Sequence, residues 1–251
     1  MLHGPASAKP RGAILYVHPF AEEMNRCRRM AALQSRALAR QGWRVMQIDL
    51  FGCGDSAGEF GESTWRAWRD DVSQALRWLR ERSGTAPILW GLRIGALLAA
   101  EAAKDAETGG LVFWQPVLSG KQFLQQFLRL KAAGEMVQQS DRERTGTRAL
   151  REQLGRGEAV EIAGYSVGPE LAIPLEGAEL EPPSAASRVL WLEVAASAEL
   201  SPASRTRIER WQAAGHRVDA RAVEGPQFWQ TLNITEAPAL VEATSAALGT
   251  W

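Results

Sequence analysis

At 251 residues, with Lys plus Arg equal to Asp plus Glu at 29 each, the chain has no formal net charge, a balance that gives no hint of nucleic-acid binding or of docking on an anionic membrane. Its 45% hydrophobic and 23% charged content is that of an ordinary globular chain, and its length does not demand two domains. Two cysteines, Cys27 and Cys53, fit a reducing compartment better than a disulfide framework, residues 1–12 lack the apolar core of a signal peptide, and no apolar run approaches the roughly 18 residues of a membrane span, so a cytoplasmic protein is expected.

Ala13 to Val17 is a short apolar run entered from Pro10-Arg11-Gly12 and left at His18-Pro19, the pattern of a strand buried on both faces. Between Arg28 and Arg40, Met30, Ala31, Leu33, Ala37 and Leu38 recur at helical spacing, and Gly42 stops that helix. Trp43 to Leu50 reads as a second buried strand, followed by a loop holding Gly52, Gly54, Gly58 and Gly61. From Ser63-Thr64 a helix runs to Arg82 with Trp65, Trp68, Val72, Ala75, Leu76 and Leu79 on one face. Pro87 to Trp90 forms a strand that enters Gly91-Leu92-Arg93-Ile94-Gly95 without a linker, then an Ala-rich helix over 96–104 and a strand over Leu111–Trp114. This alternation predicts an α/β fold, with a mostly parallel sheet and helices on both faces.

The rhythm breaks after Gln115-Pro116. Residues 118–157 are polar and helical in character, and Val160–Ala163 and Leu171–Pro174 look like two short strands. The stretch 118–183 is expected to be a cap-like helical and hairpin insertion within a single domain over 1–251, being too poor in apolar residues to hold a core of its own. Strand 188–194, helix 202–214, strand 216–223 and helix 236–248 then complete the chain. Tryptophans 65, 68, 78, 90, 114, 191 and 211 fall on these elements and read as core.

A strand running straight into Gly-x-x-x-Gly and a helix is the context of a nucleophile elbow, in which flanking glycines let the central side chain stand up at the C-terminal edge of the sheet. With His18-Pro19-Phe20 after the first strand and Asp49-Leu50-Phe51-Gly52-Cys53-Gly54-Asp55-Ser56-Ala57-Gly58 after the next, the chain resembles the α/β-hydrolase superfamily over nearly its whole length. The segments His18–Asn25, Trp90–Leu97 and Gly225–Thr231 further resemble the exosortase A system-associated hydrolase 2 family, named for its place in PEP-CTERM/exosortase and exopolysaccharide loci of Gram-negative bacteria.

That resemblance implies a Ser-His-Asp triad, and the matching positions do not supply one. Arg93 stands at the nucleophile position, and a guanidinium stays protonated and cannot attack an ester carbon. Matching the acid position against Ser201-Pro202 puts it at Ala198, and the base position falls at Gln227 or its neighbours Phe228 and Trp229. The three histidines are His3, His18 and His216, none of them between Val223 and the last helix. Serine-hydrolase catalysis in the family's arrangement is therefore expected to be absent.

An upright guanidinium at a helix N-terminus offers a donor fork to a carboxylate, phosphate or sulfate. Arg93, Ile94, His18, Phe20, Phe228 and Trp229 form the expected ligand-binding group, the last two as an aromatic wall or as packing. The alternative is that Arg93 pairs internally with Glu22, Glu23 or Glu193. His18 either fixes its own loop or serves as a base for a loop nucleophile such as Cys53, Ser56 or Ser119, which would make the protein an ester or thioester hydrolase or an acyltransferase. A third reading is an assembly protein of the exosortase system. Nothing calls for a metal or a cofactor, and zero net charge leaves pairing with a second copy unopposed.

Overall fold

Seven strands form one sheet in the order β1-β3-β2-β4-β5-β8-β9, in a computed structural model that describes residues 1–5, 10–134, 140–183, 185 and 187–251. The strands are β1 (Leu2–His3), β2 (Gly12–Val17), β3 (Trp43–Gln47), β4 (Ile88–Leu92), β5 (Gly110–Trp114), β8 (Arg188–Ala195) and β9 (Arg217–Glu224). Only β1 runs antiparallel, against β3; every other pair is parallel. β2, β4 and β5 are buried along their whole length, which is why they read as continuous apolar runs.

The helices are α1 (Glu22–Arg40), α2 (Trp65–Ser83), α3 (Gly95–Asp105), α4 (Gly120–Gly134), α5 (Ser140–Gly155), α6 (Pro169–Gly177), α7 (Pro202–Ala213) and α8 (Pro238–Gly249). Residues 135–139 of the stretch expected to be helical lie outside the described residues. α1 starts six residues earlier than the apolar periodicity alone suggests. Glu22 and Glu23 occupy its first turn, where the helix dipole favours acid, and Met24 and Cys27 extend its buried stripe.

Two compact units emerge. The first comprises residues 1–48, 72–116 and 181–251 and contains the whole seven-stranded sheet. On one of its faces Tyr16, Trp90 and Trp114 pack with Cys27 and Met30 of α1, Leu240 and Leu248 of α8, and Phe228 and Trp229. On the opposite face Phe113, Trp191 and Trp211 meet edge to face, with ring centroids 5.8–6.0 Å apart.

The second unit comprises residues 49–71 and 117–180. In it the carbonyl of Phe51 accepts from Ser63 Oγ (2.8 Å) and Trp68 Nε1 (3.0 Å), fixing the glycine-rich loop. The hairpin of β6 (Val160–Ile162) and β7 (Tyr165–Val167) packs Tyr165 against Phe60 at 5.0 Å. Leu171–Pro174, expected as a strand, lies instead inside α6. Pro169 at the first helical position and Glu170 in the first turn start a helix there, and a short apolar run has no period long enough to reveal that. Trp78 is also corrected: it is 36% exposed, off the Val72-Leu76-Leu79 stripe, with the Arg82 guanidinium over its ring at 3.9 Å.

Candidate functional site

Between β2 and β4 the strand order reverses: from β2 the chain steps outward to β3, then returns across β2 to lay down β4. In parallel sheets the crevice beyond the strand ends at such a point is where ligands bind. His18 follows β2 and Arg93 follows β4, so the topology brings both to this point. The paired residues Val17 and Gly91 put the two strand ends level.

Backbone geometry makes the elbow. Arg93 has φ +56°, in the left-handed region that a non-glycine residue adopts only at a cost, and its N–H donates to Trp114 O at 3.0 Å. A Cβ on Gly91 would lie 2.5 Å from Ala96 Cα, and one on Gly95 would lie 2.7 Å from His18 O, so both positions need glycine for close backbone approach. The first amide bonded within the elbow's own helix is Ala96 N–H to Arg93 O, at 3.1 Å; the amides of Ile94 and Gly95 precede it. Ala21, Gln115 and Ala198, also just past strand ends, share positive φ (+49°, +43° and +52°), so local strain collects on this edge.

Of the three carboxylates that the sequence offers Arg93, Glu23 is the one in contact with it. Its Nε lies 3.2 and 3.4 Å from the two Glu23 carboxylate oxygens and its Nη2 3.2 Å from Oε1. The side chains remain 13% and 19% exposed. Glu22 faces elsewhere, accepting from Asn25 at 3.1 Å and lying 3.7 Å from Arg26. Glu193 is buried and ties down the turn at the acid position: it accepts from Trp191 Nε1 (3.2 Å), Ser201 N (3.0 Å) and the Ser204 hydroxyl.

Trp229 forms the other wall, with the Arg93 guanidinium carbon 5.5 Å from its ring centroid. The ring is 2% exposed, and its indole N–H is buried with no hydrogen-bond partner among the described residues. Phe228 is fully buried, 5.2 Å from Trp229 and 6.3 Å from Trp114, inside the aromatic cluster. Gln227 is exposed. His18 is 3% exposed and donates from Nδ1 to Pro19 O at 2.7 Å, while Phe20 and Ile94 are each 1% exposed. Arg26 Nη1 donates to Gln230 O at 2.9 Å, joining α1 to the loop that carries Trp229. Sequence reasoning did not single out Arg26 or Gln115, whose side-chain oxygen accepts from Val194 N at 2.8 Å. Neither belongs to a motif that would flag it.

Burial pushes the Glu23 carboxyl above the ordinary glutamate value of 4.5, against the downward pull of Arg93 and Arg26. Cys27, one turn along α1 and fully buried, has its thiol pushed well above the ordinary range by burial and then by Glu23. It is therefore held as a neutral thiol, unsuited to nucleophilic attack.

A raised folded-state value means the native state holds the Glu23 proton more tightly than the unfolded chain does. Its stabilising contribution is complete below the unfolded-chain value and is lost as pH rises through the raised range. Urea unfolding of wild type and Glu23→Gln between about pH 4 and about pH 7 should show wild type losing more stability over that rise. Parallel curves would refute it.

Among the described residues no group of three His, Cys, Asp or Glu side chains is placed to hold a metal ion, and no helix is long and apolar enough to cross a membrane.

The profile of the family described as "Serine aminopeptidase, S33" matches residues 8–152, more than half of the chain. No curated protein sequence matches it. The chain is similar in structure to Est1E of Butyrivibrio proteoclasticus with ferulic acid bound, at a TM-score of 0.68 and 14% identity, covering 100% of this chain and 92% of that one. A soluble variant of monoglyceride lipase from Saccharomyces cerevisiae, in complex with a substrate analogue, superposes at 0.61 with 13% identity, covering 100% and 89%. Esterase 2 of Thermogutta terrifontis, phosphonylated by sarin, does so at 0.52 with 18% identity, covering 98% and 86%. At these identities the likeness is one of α/β-hydrolase fold.

Proposed function

Because the chain belongs to the serine aminopeptidase S33 family, of α/β-hydrolase fold, and carries arginine at its elbow, we propose that it is a non-hydrolytic member that binds a small anionic or acyl ligand there. The observation that carries this reading is the Arg93 head, raised at the nucleophile position between Glu23 and the Trp229 ring. In this reading Arg93, Ile94, His18, Phe20 and Trp229 surround the ligand, Phe228 backs Trp229, and residues 118–183 act as a cap within one domain. The positions of Arg93, Ala198 and Gln227 are the vacated triad.

The proposed setting is cytoplasmic, in an exosortase/exopolysaccharide system, supported by the resemblance of His18–Asn25, Trp90–Leu97 and Gly225–Thr231 to that system's hydrolase 2 family. Short-chain p-nitrophenyl esters and thioesters should turn over no faster than in buffer with wild type, His18→Ala or Arg93→Ser. Wild-type turnover that disappears in His18→Ala would replace this reading with an ester hydrolase or acyltransferase built around His18. Acetate, phosphate and a short-chain acyl-CoA should then be tested by thermal shift. A bound ligand at 100-fold its Kd adds about 2.7 kcal/mol, a rise of roughly 5–10 °C that Arg93→Met should abolish. No rise with any of the three would favour an assembly protein instead.

A further inference from the structure

The two edges of the sheet are unlike. One ends in β1, two residues long; the other ends in β9, eight residues long, with no strand of the described residues on its far side. A long open strand is a template for another chain unless its side chains forbid pairing. The backbone directions along β9 can be read from one bond. Arg217 N–H donates to Ser187 O at 3.0 Å, so Arg217 and every second residue after it point their backbone groups at β8. Val218, Ala220 and Ala222 therefore point theirs outward. In agreement, the Val218 carbonyl accepts from Gln212 Nε2 of α7, at a long 3.4 Å, rather than from β8.

We infer that this edge is a self-association surface, on which a second copy of the chain adds its own β9 antiparallel, with Ala220 on the two-fold axis. Outward residues must oppose outward residues for the ladder to form, so the copies can slide only in steps of two. With Ala220 opposite Ala220, Asp219 of each copy faces Arg221 of the other, giving two opposite-charge pairs, and Val218 faces Ala222. A slide one way sets Asp219 against Asp219 and Arg217 against Arg221; a slide the other way sets Arg221 against Arg221. Directly opposed like charges disfavour both. Within one chain Asp219 and Arg221 already pair, at 2.9 and 2.5 Å on an exposed face, so dimerisation exchanges partners and leaves neither charge alone. The small side chain at the axis keeps the two backbones free to approach, and zero net charge opposes nothing at long range.

Light scattering after size exclusion should give twice the chain mass for wild type. Asp219→Arg, which sets arginines against each other twice, should give a monomer, and Asp219→Arg combined with Arg221→Asp should restore the dimer. Ala220→Cys should cross-link on oxidation, since residues exchanging both hydrogen bonds sit about 5.5 Å apart at Cα, within disulfide reach. Ala222→Cys should not, because its two copies would lie roughly 14 Å apart. Cys27 and Cys53 are buried and do not interfere. A wild-type monomer at the highest concentration the protein tolerates, or a dimer unchanged by Asp219→Arg, overturns the inference. Circular dichroism of each variant separates lost pairing from lost folding.

Discussion

Glu23→Ala should destabilise the protein by about 3 kcal/mol, seen as a lower urea midpoint at unchanged m and a fall in Tm of roughly 6–12 °C. The reason lies in what is left behind. A guanidinium is in general a permanent cation, and the Arg93 side chain is only 13% exposed, so removing the carboxylate takes the Glu23 contact away from a largely desolvated charge. The low end of the range for a broken buried pair applies because solvent still reaches both partners. Removing both charges is a different experiment. Arg93→Met with Glu23→Leu should return stability to within about 1 kcal/mol of wild type, since two desolvation penalties vanish with the attraction that offset them. A double variant as unstable as the sum of its singles would mean the pair carries no coupling energy and the elbow is held by other contacts.

Gly95→Ala should cost about 3 kcal/mol or more and displace the elbow from the β2 loop. The added Cβ would meet the carbonyls of Val17 and His18, the latter at 2.7 Å. Both are backbone groups at the end of a fully buried strand, so neither can rotate aside as a side chain would. Relief requires moving α3 away from β2, and with it the Arg93–Glu23 pair. Urea unfolding reads the stability, and the effect of adding Glu23→Ala reads the geometry: if the pair is pulled apart, the second substitution should cost less in the Gly95→Ala background. A loss within about 0.5 kcal/mol, as for an ordinary surface change, would show that the elbow does not depend on this contact.

Both predictions rest on residues that the sequence singles out, Glu23 as one of three candidate partners of Arg93 and Gly95 as a flanking glycine of the elbow. The elbow was legible because it is local: a strand, two glycines four residues apart and an Ala-rich helix are all contiguous. The sheet was legible for the same reason, since buried parallel strands write themselves as apolar runs such as Ile14–Val17 and Leu111–Trp114. Where pattern and structure part, the cause is identifiable. Leu171–Pro174 is an apolar run too short to show its period, and a proline at position 169 decides for helix. Trp78 reads as core by residue type, but its angle on the helix turns it to solvent.

The sequence by itself determined that a guanidinium stands where a serine would be needed and that no histidine follows Val223, because those are matters of identity and order. Only the tertiary structure decided the rest. Glu22, Glu23 and Glu193 are equivalent candidates on paper; α1 begins at residue 22, turns Glu23 toward Arg93, leaves Glu22 to Arg26 and Asn25, and Glu193 is consumed by Trp191, Ser201 and Ser204. Which carboxylate meets which cation, 70 residues away in the chain, is set by strand order and helix phase, and neither quantity is written in the residues that finally touch.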